Sequence, residues 1–114
     1  MHVAVIARPA GRFVDAHYGG ARVIARMWES RINPGQLDEF CTWARDEAWP
    51  QFVAAQGFSG GELYRSDEQH SAVVVTRWVD ADALAAGNAW FDLGAERFSA
   101  SEANAWEFTP VPVA

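Results

Sequence analysis

The chain has 114 residues, half of them hydrophobic, with a formal charge of −6 and all nine of its cationic residues arginine. That length accommodates one domain with a single modest core, and an acidic chain without a basic cluster argues against nucleic acid as a partner, because phosphate neutralisation drives such binding. One cysteine, Cys41, excludes an intramolecular disulfide and a Cys-rich zinc site and fits a reducing, cytoplasmic setting.

Residues 1–20 read as an N-terminal extension to a domain spanning 21–114. The apolar run over 3–7 could form a short strand. It has no basic segment before it, ends at Arg8-Pro9, and is too short for a signal sequence or a membrane span, so no membrane partner is expected. Pro9, Gly11 and Gly19-Gly20 punctuate the rest of the extension.

The run 22–32 reads as a strand, and Asn33-Pro34-Gly35 supplies the turn that ends it. Residues 36–49 place Leu37, Phe40, Cys41, Ala44 and Ala48 on one helical stripe, with Asp38, Glu39, Arg45 and Asp46 outside it. Pro50 is expected to disrupt this helix, with a further turn over 52–55. Gly57, Gly60 and Gly61 lead into a second strand over 62–65, and the polar stretch 66–70 makes a hairpin loop.

The next strand, 71–78, is apolar on both faces, with Val73 and Val75 on one and Val74 and Trp78 on the other. A helix from about residue 81, capped by Asp80 and with Asp82 in its first turn, is expected to break near Gly87-Asn88. Asn88 would then cap a second segment carrying Trp90, Phe91, Leu93 and Phe98. Residues 103–109 alternate as a final strand, stopped by Pro110 and Pro112.

After the extension the order is β-α-β-β-α-β, a ferredoxin-like α+β arrangement with two helices on one sheet face. Alternation in the first strand sends Val23, Ala25 and Met27 one way and Ile24, Arg26 and Trp28 the other. Leaving either set in water would expose a larger apolar patch than monomers usually carry, so a homodimer formed through the sheets is expected.

If Arg26 and Trp28 face the helices, they join Trp78 and Val74 around one cavity that Trp90, Arg97 and Phe98 close. Such a cavity suits a planar aromatic ligand with phenolate or carboxylate oxygens, stacked on Trp and held in its deprotonated form by guanidinium. The same residues have a plainer reading, with Trp filling the core and Arg at a rim or dimer contact, and the sequence leaves both open. Tyr64 could donate a hydrogen bond to the ligand or serve as an interface ring. His17 and His70 could act as bases only if the extension or the hairpin loop folds over the cavity mouth. No histidines are spaced for a metal and no glycine-rich loop precedes a helix, so no metal or nucleotide is expected. Glu29 and Glu107 are expected in cross-strand ion pairs with Arg31 or Arg77.

Three landmarks carry a family likeness: the strand leading to Asn33-Pro34-Gly35, the segment Gln56-Gly57-Phe58, and Thr76-Arg77-Trp78 with the Asp-rich helix start after it. With them the chain resembles the antibiotic biosynthesis monooxygenase (ABM) family of the dimeric α+β barrel superfamily, over about residues 21–109. The resemblance implies a ferredoxin-like protomer in a dimeric α+β barrel. It also implies a cofactor-free monooxygenase that takes an aromatic or polyketide-type substrate and O2, with Trp78 in its pocket; the cavity reading adds Arg26 and Trp28 to Trp78 as the expected catalytic set. Anthrone-type members carry Trp at the position of Trp78 and Asn four residues earlier, where this chain has Val74 and so lacks an amide donor. Haem-degrading members use Asn, Trp and His where this chain has about Trp28, Gly87 and Arg97, so haem is not an expected ligand. The alternatives to oxygenation are a cyclase- or isomerase-like tailoring protein and a ligand-binding dimer without catalysis.

Overall fold

The computed structural model describes residues 2–6, as backbone, and residues 23–113. The strands are β1 (His2–Ile6), β2 (Ile24–Arg31), β3 (Phe58–Ser66), β4 (Ser71–Trp78) and β5 (Asn104–Phe108), and they form one antiparallel sheet in the order β1-β3-β4-β2-β5. Strands β2 to β5 with the helices between them give the ferredoxin-like α+β fold, and β1 adds a strand at the β3 edge. The extension therefore contributes a strand to the sheet.

The turn after β2 follows its sequence closely. Gln36 N–H donates to the Asn33 carbonyl at 3.0 Å, Pro34 takes the first corner, and Gly35 takes the second at φ +81°, as a type II turn requires. The Asn33 side chain also donates to the Arg97 carbonyl at 3.0 Å, which ties this turn to the 3₁₀ turn Glu96–Phe98.

Helix α1 (Leu37–Trp43) does not stop where Pro50 suggested. It widens into a π-helical segment, Ala44–Ala48, and runs on as α2 (Trp49–Ala54) with Pro50 in the first turn. Proline lacks an N–H and its ring clashes with the carbonyl four residues back. The wider turn, in which Trp49 N–H reaches the Ala44 carbonyl, lets the chain continue past it.

Helix α3 (Ala81–Ala95) is likewise continuous through Gly87 and Asn88, followed by one 3₁₀ turn, Glu96–Phe98. Asp80 caps it, its Oδ1 accepting from Ala83 N–H at 2.8 Å, and Asp82 lies in the first turn. The expected break at Gly87-Asn88 is corrected by packing. A Cβ at Gly87 would lie 2.1 Å from the Trp78 ring, so glycine is there to let an indole rest on the helix backbone.

The helices cover the sheet face that carries Arg26, Trp28, Ser30, Ala72, Val74, Thr76 and Trp78, all buried. Between the layers lies a core of rings: Trp28 stacks on Phe40 at 5.5 Å and meets Phe91 edge-on at 5.2 Å, while Trp78 packs on Phe58 at 5.2 Å and Phe52 at 6.0 Å. The opposite face carries Ala25, Met27, Val73 and Val75 beside Trp106 and Phe108 of β5, with the last two 46% and 50% exposed.

Candidate functional site

Strand alternation places Arg26 and Trp28 on the helix-covered face, and Arg26 is only 9% exposed. A guanidinium cannot be buried there without partners. Helix α3 supplies them from two residues one turn apart, Asn88 and Asp92, which share a helix face. Nη1 of Arg26 donates to Asn88 Oδ1 at 3.0 Å and to Asp92 Oδ1 at 2.9 Å, and Nη2 donates to Asp92 Oδ2 at 2.7 Å. Asn88 is itself held, its Nδ2 donating to the Leu84 carbonyl at 2.9 Å.

Beside this clamp opens a cleft of about 440 Å³, lined by Arg26, Trp28, Asp92, Glu96, Glu102 and the small residues of the segment into β5. This volume falls within the roughly 300–1,000 Å³ of small-molecule sites. Its far lip is fixed to β2: Ser30 Oγ donates to Ser99 Oγ at 2.9 Å and Ala100 N–H to the Arg31 carbonyl at 2.8 Å. The lining holds one cation and three carboxylates, one of them already paired with that cation.

The expected site residues divide. Arg26 and Trp28 meet in this cleft. Trp78, Val74 and Phe98 belong instead to the sealed core, and Trp78 is fully buried, its ring wedged among Gly87, Phe52 and Phe58. Trp90 lines a second, mainly apolar hollow of about 420 Å³ with Gln56, Gly57, Val79 and Ala83, and its ring lies 4.8 Å from Phe52. Arg97 is exposed, with its guanidinium 4.3 Å over the Phe98 ring and 5.4 Å over that of Trp43.

Tyr64 points away from the helices. An irregularity in the pairing between Phe58 and Gly60 resets the alternation of β3, so Tyr64 pairs with Val73 on the opposite face. His70 ends the β3–β4 hairpin at φ +54°, its carbonyl accepting from Ile32 N–H at 2.9 Å, and it is not part of the cleft lining. His17 lies outside the described residues. Arg77 pairs bidentately with Glu62, at 2.7 and 2.9 Å, rather than with Glu29 or Glu107. Cys41 is half-buried, and burial pushes its thiol above the ordinary value of 9.0 despite the neighbouring Arg65, so it is protonated at neutral pH.

Asn88 and Asp92 are the residues that sequence reasoning missed. The signal was present as Leu84-x-x-x-Asn88-x-x-x-Asp92, a polar pair continuing an apolar helical stripe. Reading Asn88 as a cap broke that stripe. Among the described residues no group of three or more His, Cys, Asp or Glu could hold a metal ion, and no helix is long and apolar enough to cross a membrane.

No protein-family model matches the chain, and no curated protein matches it in sequence. Solved structures do share its fold. A Nitrosomonas europaea protein named as an antibiotic biosynthesis monooxygenase superposes with a TM-score of 0.70 at 9% identity, over 80% of this chain and 92% of its own. SnoaB, a cofactor-independent oxygenase from Streptomyces nogalater, gives 0.66 at 21% identity, over 82% and 97%. A Bordetella bronchiseptica protein likewise named as such a monooxygenase gives 0.67 at 22%, over 79% and 98%. The described fold is thus the one found in ABM proteins.

Proposed function

We propose that this protein is a cofactor-independent monooxygenase-like enzyme that binds an aromatic or polyketide-type small molecule in the Arg26 cleft and works as a homodimer in the cytoplasm. The observation that carries the reading is the cleft itself: a ligand-sized opening with a fixed, largely buried guanidinium beside the Trp28 indole. The shared fold supports it, since one of the proteins with this architecture is named a cofactor-independent oxygenase.

In this reading Trp28 and Arg26 touch the ligand, and Trp78 acts from the core, where it seats helix α3 at Gly87, one residue before Asn88. Arg26 favours a ligand oxygen in its anionic form through charge-assisted hydrogen bonding. Glu96 and Glu102, on the cleft wall, are placed to accept the proton that leaves an activated ring CH₂. The resulting carbanion can pass electrons to O2. The balance closes without a reductant: the CH₂ becomes C=O, one oxygen atom of O2 is retained, and the other leaves as water with the two hydrogens.

The first experiment follows Trp fluorescence and O2 consumption together while the protein is titrated with tricyclic phenols and anthrones. Quenching with one O2 consumed per molecule oxidised is expected, with turnover lost in Arg26→Ala. A second reading, ligand binding or non-oxidative tailoring, is favoured by one feature: Val74 is buried and apolar where anthrone-type members carry Asn. Quenching without O2 uptake would establish that reading in place of the first. No quenching by any aromatic would remove both.

A further inference from the structure

Resting on the cleft as the ligand site, the geometry points to a more specific recognition: Asn88 and Asp92 position Arg26 so that its Nε–Nη2 edge faces the ligand, and that edge takes a planar carboxylate. A guanidinium has five N–H donors arranged as a fork. Asp92 grips the Nη1–Nη2 end from below with both oxygens, and Asn88 takes a further donation from Nη1. Nε and the remaining Nη2 hydrogen donate to no described residue. These two parallel donors match the spacing of two coplanar oxygens on one carbon. Arg26 lines the cleft, and its Nε is not among the sealed polar atoms that lack a partner, so this edge is open to a ligand.

Charge alone would not predict this preference. Asp92 already balances Arg26, and Glu96 and Glu102 add negative potential around the opening. A diffuse attraction for anions is therefore absent, and affinity for a carboxylate has to come from the two-point geometry. The guanidinium keeps that geometry only while Asp92 and Asn88 hold it. They are positioning residues, acting on the ligand through Arg26.

The test compares naphthalene-2-carboxylate with its carboxamide, two probes of almost the same shape, by calorimetry on the full-length protein. About tenfold tighter binding of the carboxylate is expected, with the preference lost in Arg26→Lys, whose ammonium offers no fork. Asp92→Leu gives the deciding sign. If Asp92 acted only as a repulsive charge, removing it would tighten carboxylate binding. Positioning predicts that the preference falls towards unity, with partial recovery in Asp92→Asn, which keeps an acceptor oxygen. Circular dichroism on each variant separates these effects from unfolding, and Asn88→Leu, one turn away on α3, provides a second route to the same loss. Equal binding of the two probes by the wild type, or tighter carboxylate binding in Asp92→Leu, would overturn the inference. O2 uptake with uncharged anthrones is measured separately. Uptake without carboxylate preference sinks only this inference, whereas carboxylate preference without uptake sinks only the oxygenase reading.

Discussion

Single residues in this protein are chosen by what lies against them more than by local propensity. Gly87 is the clearest case. Glycine inside a helix costs about 1 kcal/mol relative to alanine, so Gly87→Ala should stabilise α3 taken alone. In the folded chain the new methyl would meet three atoms of the Trp78 ring at 2.1 to 2.8 Å. That ring is held between Phe52 and Phe58 and has no exposed side towards which to move. Overpacking of this kind costs about 1–3 kcal/mol and outweighs the propensity gain. Urea denaturation of Gly87→Ala should show a net loss of up to about 2 kcal/mol, and a raised midpoint would mean that Trp78 is not seated as described. The same contact explains why sequence reasoning placed Trp78 in a pocket. A Trp on a strand face can line a cavity or fill one, and the rings of Phe52 from the covering helix and Phe58 from the neighbouring strand decide which. Alternation alone groups Arg26 and Trp28 on one face of their strand, because the spacing of two is unambiguous, but both faces carry apolar residues and the pattern does not say which of them the helices cover.

At the scale of elements, β2, β4 and the apolar stripe of α1 were legible because their periods are long and regular. The two helices that were expected to break do not, because the stop signals at Pro50 and at Gly87-Asn88 are overridden, the first by local backbone geometry and the second by a tertiary contact. The π segment Ala44–Ala48 absorbs the proline, and the Trp78 ring accounts for the glycine. The second misreading also hid the site, since Asn88 and Asp92 converge on Arg26 only if α3 is one helix. Where a stop or start signal has no tertiary competitor, it holds. Asp80 caps α3 through Ala83 N–H, and both Asp80 and Ala81 are exposed. Asp80→Ala should therefore cost about 1 kcal/mol by urea denaturation, and Asp80→Asn should recover most of it. An unchanged Asp80→Ala midpoint would show that α3 is held by its packing and not by its cap. Loss of the cap should leave naphthalene carboxylate binding intact, because the clamp lies about two to three turns further along the helix.

Across the whole molecule, the sheet has one face sealed by aromatic packing and one face without a covering among the described residues. The uncovered face includes Met27, Val73 and Val75, and it continues onto β5, every residue of which is exposed. Trp106 and Phe108 lie half in water there, and Val111 and Val113 beyond them are more exposed still. Fully burying one such side chain is worth roughly 1.5–3 kcal/mol, and leaving several adjacent ones exposed is what monomers avoid. A second copy meeting the first through this face would bury them together, as the two-sided apolar pattern of residues 71–78 anticipates. Sedimentation equilibrium should return twice the mass of one chain at micromolar concentration. Trp106→Glu combined with Phe108→Glu should weaken association by at least about tenfold, since each change both removes buried apolar area and places a charge at the contact. A monomeric wild type, or a double variant that dimerises unchanged, would rule out this face as the interface. Because β5 also borders the Arg26 cleft through Ala105, a dimer built on β5 would support the cleft wall from behind. Weakened association should then also lower affinity for aromatic ligands, and measuring both properties on the same double variant tests whether assembly and site are coupled.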